Sequence, residues 1–187
     1  MLNYQPLIKE EKKYSGLTVK EISPIMKLNL RGKSRDFMSI IGKNINMILP
    51  IEANTSSSTD NYTSMWLSPD EWLVISNNII DEENNNYKIE ELLFNKISKT
   101  NFGAITDVTD QFILINLNGE KVFDLLSAGC PFNFNDFKSK KGAVSQTLLN
   151  QIDIIIHHKE LNNVNLFVRR SFSEHLMSWI NDAASRL

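Results

Sequence analysis

Two stretches of this chain carry the same hydrophobic pattern. Leu28-Asn29-Leu30-Arg31-Gly32 alternates apolar and polar residues, ends at a glycine, and leads into a helical run to Gly42. Ile115-Asn116-Leu117-Asn118-Gly119 does the same and leads into a helical run to Gly129, so Asn29, Leu30, Gly32 and Gly42 recur as Asn116, Leu117, Gly119 and Gly129 at a constant offset. Alternation at period two is the mark of a strand with one buried face, and a glycine relaxes the backbone where the strand turns into a helix. The chain is therefore expected to contain two related halves, each supplying a helix and a hairpin.

In the first half, Met65-Trp66-Leu67 and Trp72-Leu73-Val74-Ile75 flank Ser68-Pro69-Asp70-Glu71. Proline presets φ for a tight turn and the serine hydroxyl can bond the turn backbone, which predicts a hairpin. In the second half, Gln146 to Leu149 and Ile152 to His157 read as extended, Asn162-Asn163 turns the chain, and Val164 to Arg169 forms a further strand. Ile89, Leu92, Leu93 and Ile97 give one amphipathic helix. Phe172, Leu176, Trp179, Ile180 and Ala183 give another, opened by Ser171-Phe172-Ser173-Glu174 in a capping-box pattern. Residues 1–16 show no clean period and a mixed charge run, and are expected to be a flexible arm or a segment ordered by a partner. Residues 17–187 are read as one domain.

Composition narrows the function more than the fold. The 187 residues are 42% apolar and 22% charged, with a formal charge of -2. The basic excess usual in nucleic-acid binding is missing, no apolar stretch is long enough to span a bilayer, and no secretory h-region is seen, so a cytoplasmic protein is expected. One cysteine excludes an internal disulfide and a multi-thiolate metal site within the chain. Asn84-Asn85-Asn86 is too short to count as a low-complexity tract.

Candidate chemistry is sparse. His157 and His158 are neighbours on a predicted strand and point to opposite faces, so they cannot jointly hold one ion. Cys130 lies between Gly129 and Pro131 after an apolar helix and reads as a small buried hydrophobe rather than a nucleophile. Asp107 and Asp110 read as hydrogen-bonding or solvated residues at a strand entrance. Neither a dinucleotide loop nor a catalytic, cofactor-binding or metal-binding residue is assigned. Arg169-Arg170 sits where an apolar strand meets a helix. It is either an exposed pair bonded to Glu174 or Asp153, or a docking contact, since guanidinium groups are enriched in interfaces. Trp66 and Trp72 should share one side of their hairpin, where burial suits large aromatics.

Four blocks in register carry a family resemblance: Trp66-Leu67-Ser68-Pro69-Asp70-Glu71-Trp72-Leu73, Gly129-Cys130-Pro131-Phe132-Asn133, Gln146-Thr147-Leu148-Leu149 and Val168-Arg169-Arg170-Ser171-Phe172. In order and spacing they resemble the gamma subunit of heterotetrameric sarcosine oxidase, with Ser68 where a glycine is common and Asn133 where an aspartate is common. The resemblance implies an α+β fold of two βαββ-like halves in one domain, related to the folate-binding core of the glycine-cleavage aminomethyltransferase. It implies a bacterial complex that oxidatively demethylates sarcosine to glycine and passes the one-carbon unit to tetrahydrofolate. FAD, FMN, NAD and zinc then reside on partner alpha, beta and delta subunits, and no cofactor on this chain. Arg169, Arg170, Phe132 and Trp66 are the candidate interface residues. The equivalent subunit of an N-methyl amino acid (N-methylglutamate) dehydrogenase complex, a stand-alone folate-binding protein and a scaffold without metabolic role are the competing readings.

Overall fold

The computed structural model describes residues 4–22, 24–79 and 87–187, and the Asn84-Asn85-Asn86 tract lies outside the described residues. Strands β1 (Lys12–Tyr14) and β2 (Leu17–Glu21) come first. They are followed by β3 (Lys27–Gly32), α1 (Arg35–Ile45), β4 (Ser56–Ser58), β5 (Tyr62–Ser68), β6 (Glu71–Ser76), α2 (Tyr87–Ile97) and β7 (Gly103–Asp107). The last third holds β8 (Phe112–Asn118), α3 (Val122–Ser127), β9 (Val144–Leu149), β10 (Ile152–Glu160), β11 (Asn163–Arg169) and α4 (Arg170–Ala184). The chain divides into two compact units, a central one of Pro24–Asp110 and a terminal one of Met1–Ser23 with Gln111–Leu187.

The central unit is an antiparallel sheet in the order β4-β5-β6-β3-β7. Its inward row includes Leu28 and Leu30 of β3 with Trp72 and Val74 of β6, and it buries Phe37, Ile41 and Ile45 of α1 and Leu93 and Ile97 of α2. Ser34 caps α1 by accepting from the Phe37 N–H at 3.0 Å, and Asn46 ends the helix in the left-handed region. The predicted hairpin joins β5 to β6, and its turn has the expected chemistry: the Asp70 N–H donates to Ser68 Oγ at 3.4 Å.

The terminal unit is an antiparallel sheet in the order β1-β2-β8-β11-β10-β9. One face carries Val19, Ile115, Leu117, Ile154, Ile156, Leu166 and Val168, and packs under Leu125 and Leu126 of α3 and Leu176, Met177 and Ile180 of α4. The opposite face carries a polar row in which buried Asn116 donates to Asn165 Oδ1 at 2.8 Å and to Asn163 Oδ1 at 2.7 Å.

Four expectations change. Each half is a β-α-β-β-β-α chain, one strand and one helix longer than βαββ; in the first half the added strand β4, Ser56–Ser58, has no apolar residue to mark it. Within the predicted arm, β1 pairs with β2, Ile8 is buried, and the Ile8 N–H donates to Glu21 at 2.9 Å. The capping box is not used. Arg169 is the residue before the first helical turn and has no side-chain cap, because β11 runs directly into α4 and the Arg170 N–H donates to the Gln111 carbonyl at 2.8 Å. The buried stripe of α4 is Ser173, Leu176, Met177, Ile180, Ala183 and Ala184, and Phe172 is half exposed.

The echoed glycines Gly32 and Gly119 serve different needs. Gly119 has φ +135, and a Cβ there would meet the Gly16 carbonyl oxygen at 2.2 Å. Gly32 has no such backbone requirement; a Cβ there would strike the Phe37 ring at 2.6 Å, so its value is close packing.

Candidate interaction surface

Arg169 ends β11 opposite Phe112 of β8, on the sheet face away from the helices of the terminal unit. It borders a groove of about 370 Å³ shared with Gln146, Leu148, Asp153, Ile155 and Phe167. The Ile155↔Phe167 and Asp153↔Leu148 cross-strand pairs put these residues side by side, although they are far apart in sequence. The Arg169 side chain is exposed and makes no ion pair or hydrogen bond among the described residues. Charge, an apolar wall from Leu148 and Phe167, and an acidic rim at Asp153 make this groove suited to a polypeptide contact rather than to bond-making chemistry.

Arg170 is directed elsewhere. Its guanidinium lies 5.0 Å from the centre of the Tyr4 ring, a cation–π contact that ties the N-terminal segment to the start of α4. Tyr4 in turn donates to Glu21. The two adjacent arginines are thus divided between an open groove and an internal contact.

Phe132 belongs to the helix-covered side of the terminal unit. Its ring meets Phe134 edge-on at 4.9 Å and Phe137 at 5.7 Å, and Phe123 and Phe137 approach the His158 ring at 5.6 and 5.8 Å. Trp66 belongs to the central unit, paired across the hairpin with Trp72, and the two share the inward row as predicted. Trp72 is fully buried, stacks on Phe37 at 6.3 Å and donates its indole N–H to the Pro50 carbonyl at 2.7 Å. Of the four candidate residues, then, Arg169 opens onto a groove, whereas Arg170, Phe132 and Trp66 are engaged in contacts within their own units. The groove's other residues were not foreseen. Their signal was the β9–β10–β11 register, which a single sequence does not display.

The chemistry-bearing residues are held in inert surroundings. Burial pushes the Cys130 thiol up to about 12, far from the thiolate a nucleophile needs. Asp107 accepts the Thr109 N–H at 2.8 Å and so organises the turn after β7. Burial, reinforced by His158 and Lys159, brings His157 down to about 4. His158 donates through Nδ1 to the Lys140 carbonyl at 2.8 Å, and its buried Nε2 has no hydrogen-bond partner among the described residues. Among the described residues no group of three or more His, Cys, Asp or Glu is arranged to hold a metal ion, and no helix is long and apolar enough to cross a membrane.

The model of the "Sarcosine oxidase, gamma subunit family" matches residues 31–186. The chain belongs to this family. Among solved structures, a chain of the heterotetrameric sarcosine oxidase from Corynebacterium sp. U-96, in complex with pyrrole 2-carboxylate, superposes with a TM-score of 0.80 at 20% identity. The match covers 91% of this chain and 84% of that one, and at this identity it shows a shared fold. The regulatory subunit of aspartate kinase from Thermus thermophilus gives a TM-score of only 0.45 at 8% identity, covering 91% of this chain and 99% of that one. A comparison with curated proteins finds no match. Membership of the gamma family accounts for the four sequence blocks: the Trp66 to Leu73 block is the β5–β6 hairpin, and the Val168 to Phe172 block is the β11–α4 junction.

Proposed function

We propose that this chain is the non-catalytic gamma subunit of a heterotetrameric sarcosine oxidase that oxidatively demethylates sarcosine to glycine, with the one-carbon unit passed to tetrahydrofolate. The observation that carries the proposal is the family match over residues 31–186, in a chain whose fold superposes on one from such an oxidase at a TM-score of 0.80. The alpha, beta and delta subunits hold FAD, FMN, NAD and zinc. The role of this chain is structural: it supplies a rigid surface on which the large flavoprotein subunit is held.

Within that surface, Arg169 is the docking residue. An exposed arginine beside an apolar wall gains a charge-assisted, bidentate contact when a partner carboxylate closes the groove. Arg170, held over Tyr4, keeps the strand end in place. The test is retention of the chain by its co-expressed partners after Arg169→Ala and, separately, Arg170→Ala, with folding followed by circular dichroism. Loss of a buried interfacial charge contact costs about 2–5 kcal/mol, so Arg169→Ala should release the chain whereas Arg170→Ala should weaken it by less than about 1 kcal/mol. Wild-type retention of a folded Arg169→Ala variant would remove Arg169 from the contact.

A further inference from the structure

The central unit carries a second groove, unrelated to Arg169, between α1 and α2. It encloses about 960 Å³ and is bordered by Ile40, Lys43 and Asn44 of α1 and by Lys88, Glu91, Leu92, Asn95, Lys96, Lys99 and Thr100 from α2 and its C-terminal extension. The positions 88, 91, 92, 95, 96 and 99 follow the i, i+3, i+4 rule, so they form one continuous stripe about three turns long. A different stripe of α2, Leu93 and Ile97, faces the core. The groove stripe of α2 is therefore distinct from the stripe that faces the core.

Its charge is one-sided. Four lysines, Lys43, Lys88, Lys96 and Lys99, surround a single carboxylate, Glu91, and none of the four forms an ion pair among the described residues. This concentration stands out in a chain whose formal charge is -2. Clustered like charges oppose one another unless a ligand neutralises them. The floor is apolar: Ile40 is half-buried and Leu92 is 40% exposed. A long groove with an apolar floor and cationic walls matches an amphipathic helix whose flanks are acidic, the helix-in-groove mode of recognition. A small anion would use the lysines but leave Leu92 and Ile40 in water.

We propose that the α1–α2 groove docks an acidic amphipathic helix of another subunit of the assembly. This rests on the gamma-subunit reading for the existence of a partner, and on the groove itself for the chemistry of the segment.

The test uses the complex assembled from co-expressed subunits. A photo-crosslinking residue at position 92, with a control at the exposed Leu161, identifies by mass spectrometry what covers the groove. The expected product joins position 92 to a partner segment with Glu or Asp flanking apolar residues at helical spacing, with no such product from position 161. Replacing Lys43, Lys88, Lys96 and Lys99 together by Gln should weaken assembly about tenfold or more and flatten its salt dependence, while Arg replacements should restore it. Circular dichroism establishes that the variants fold. A cross-link to a neutral or basic segment, to a second copy of this chain or to nucleic acid overturns the proposal, as does unchanged assembly of the Gln variant. If the wild-type chain itself finds no partner subunits, the gamma-subunit reading fails and this one with it; wild-type assembly with an indifferent Gln variant overturns the groove alone.

Discussion

The two units share one five-strand arrangement built from differently arranged chain, to which the terminal unit adds β1 at its edge. In each, a first strand leads to a helix, a three-stranded meander and a second helix, and the meander's last strand pairs back on the first. The fifth position differs. The central unit completes its sheet with β7, which follows α2 directly, whereas the terminal unit draws β2 from upstream of the whole central unit. The central unit is thus closed by local chain, and the terminal unit by a long-range pairing that must bear the larger loop-closure entropy. An N-terminal stretch with no obvious period is consequently a structural part of the last third of the protein.

Deleting residues 1–21 should break this contrast most severely. It removes Leu17 and Val19, both buried, whose burial is worth about 3–6 kcal/mol together before the lost ladder is counted. Hydrogen exchange should show β8 amides losing protection while β3 amides keep theirs; equal loss in both units would show that the terminal unit does not depend specifically on β2.

A tryptophan from each unit gives the next contrast. Trp72→Ala removes a fully buried ring, its stacking on Phe37 and its bond to Pro50, and should cost about 3–5 kcal/mol. Trp179 lies at the edge of the α4 stripe, partly exposed and against Gly129, so Trp179→Ala should cost only about 2 kcal/mol. Urea unfolding of the two variants measures the difference, and a Trp179→Ala loss equal to that of Trp72→Ala would place Trp179 in the core after all.

The units also differ in their response to acid, because the central unit contains no histidine. His157 is held at about 4 by burial, against an ordinary value of 6.5. The unfolded chain therefore takes up a proton that the folded chain refuses as pH falls from 6.5 towards 4. Its stabilising effect is complete above pH 6.5 and is lost through that window, at roughly 3 kcal/mol overall. His157→Gln should flatten this slope, read from terminal-unit amides, and an unchanged slope would assign the loss to other groups.

The smallest effect belongs to the central hairpin. Burial alone would raise Glu71, but hydrogen bonds from Arg31 at 2.6 Å and Asn29 at 2.7 Å bring it below its ordinary value. The stabilisation is present above about pH 4.5 and is lost as pH falls through the lowered value. The Arg31 partner is largely exposed, so Glu71→Gln should cost less than about 1 kcal/mol at neutral pH. A larger loss in thermal unfolding would mean that the bridge is less screened than its exposure implies.

What the sequence revealed follows from where its information is local. The β3 and β8 echo, the Ser68-Pro69 turn and the α2 stripe are each written in a few adjacent residues; the structure contains the first two, and the stripe through Ile89, Leu93 and Ile97, while Leu92 lies outside it and is 40% exposed. The short strand β4 is not written this way, since Ser56–Ser58 has no apolar residue to set a period. The α4 start was misplaced because the Gln111 carbonyl in the turn before β8, rather than a serine, satisfies its first N–H. Cys130 and Asp107 were legible as structural residues from their flanking sequence. The Arg169 groove was only half legible: Arg169 itself stood out as a charge at a strand end, while Leu148, Asp153 and Phe167 join it through cross-strand register.

The central claim is that this chain works as one subunit of a sarcosine-oxidising assembly. Native mass spectrometry of the co-expressed subunits, followed by sarcosine turnover with and without this chain, tests it most directly. A complex that includes one 21.5 kDa copy of this chain and oxidises sarcosine, and that loses integrity when the chain is omitted, is the predicted result. A flavoprotein complex that forms and turns over sarcosine equally well without it, or one that includes it but oxidises only a different N-methyl amino acid, would contradict the claim.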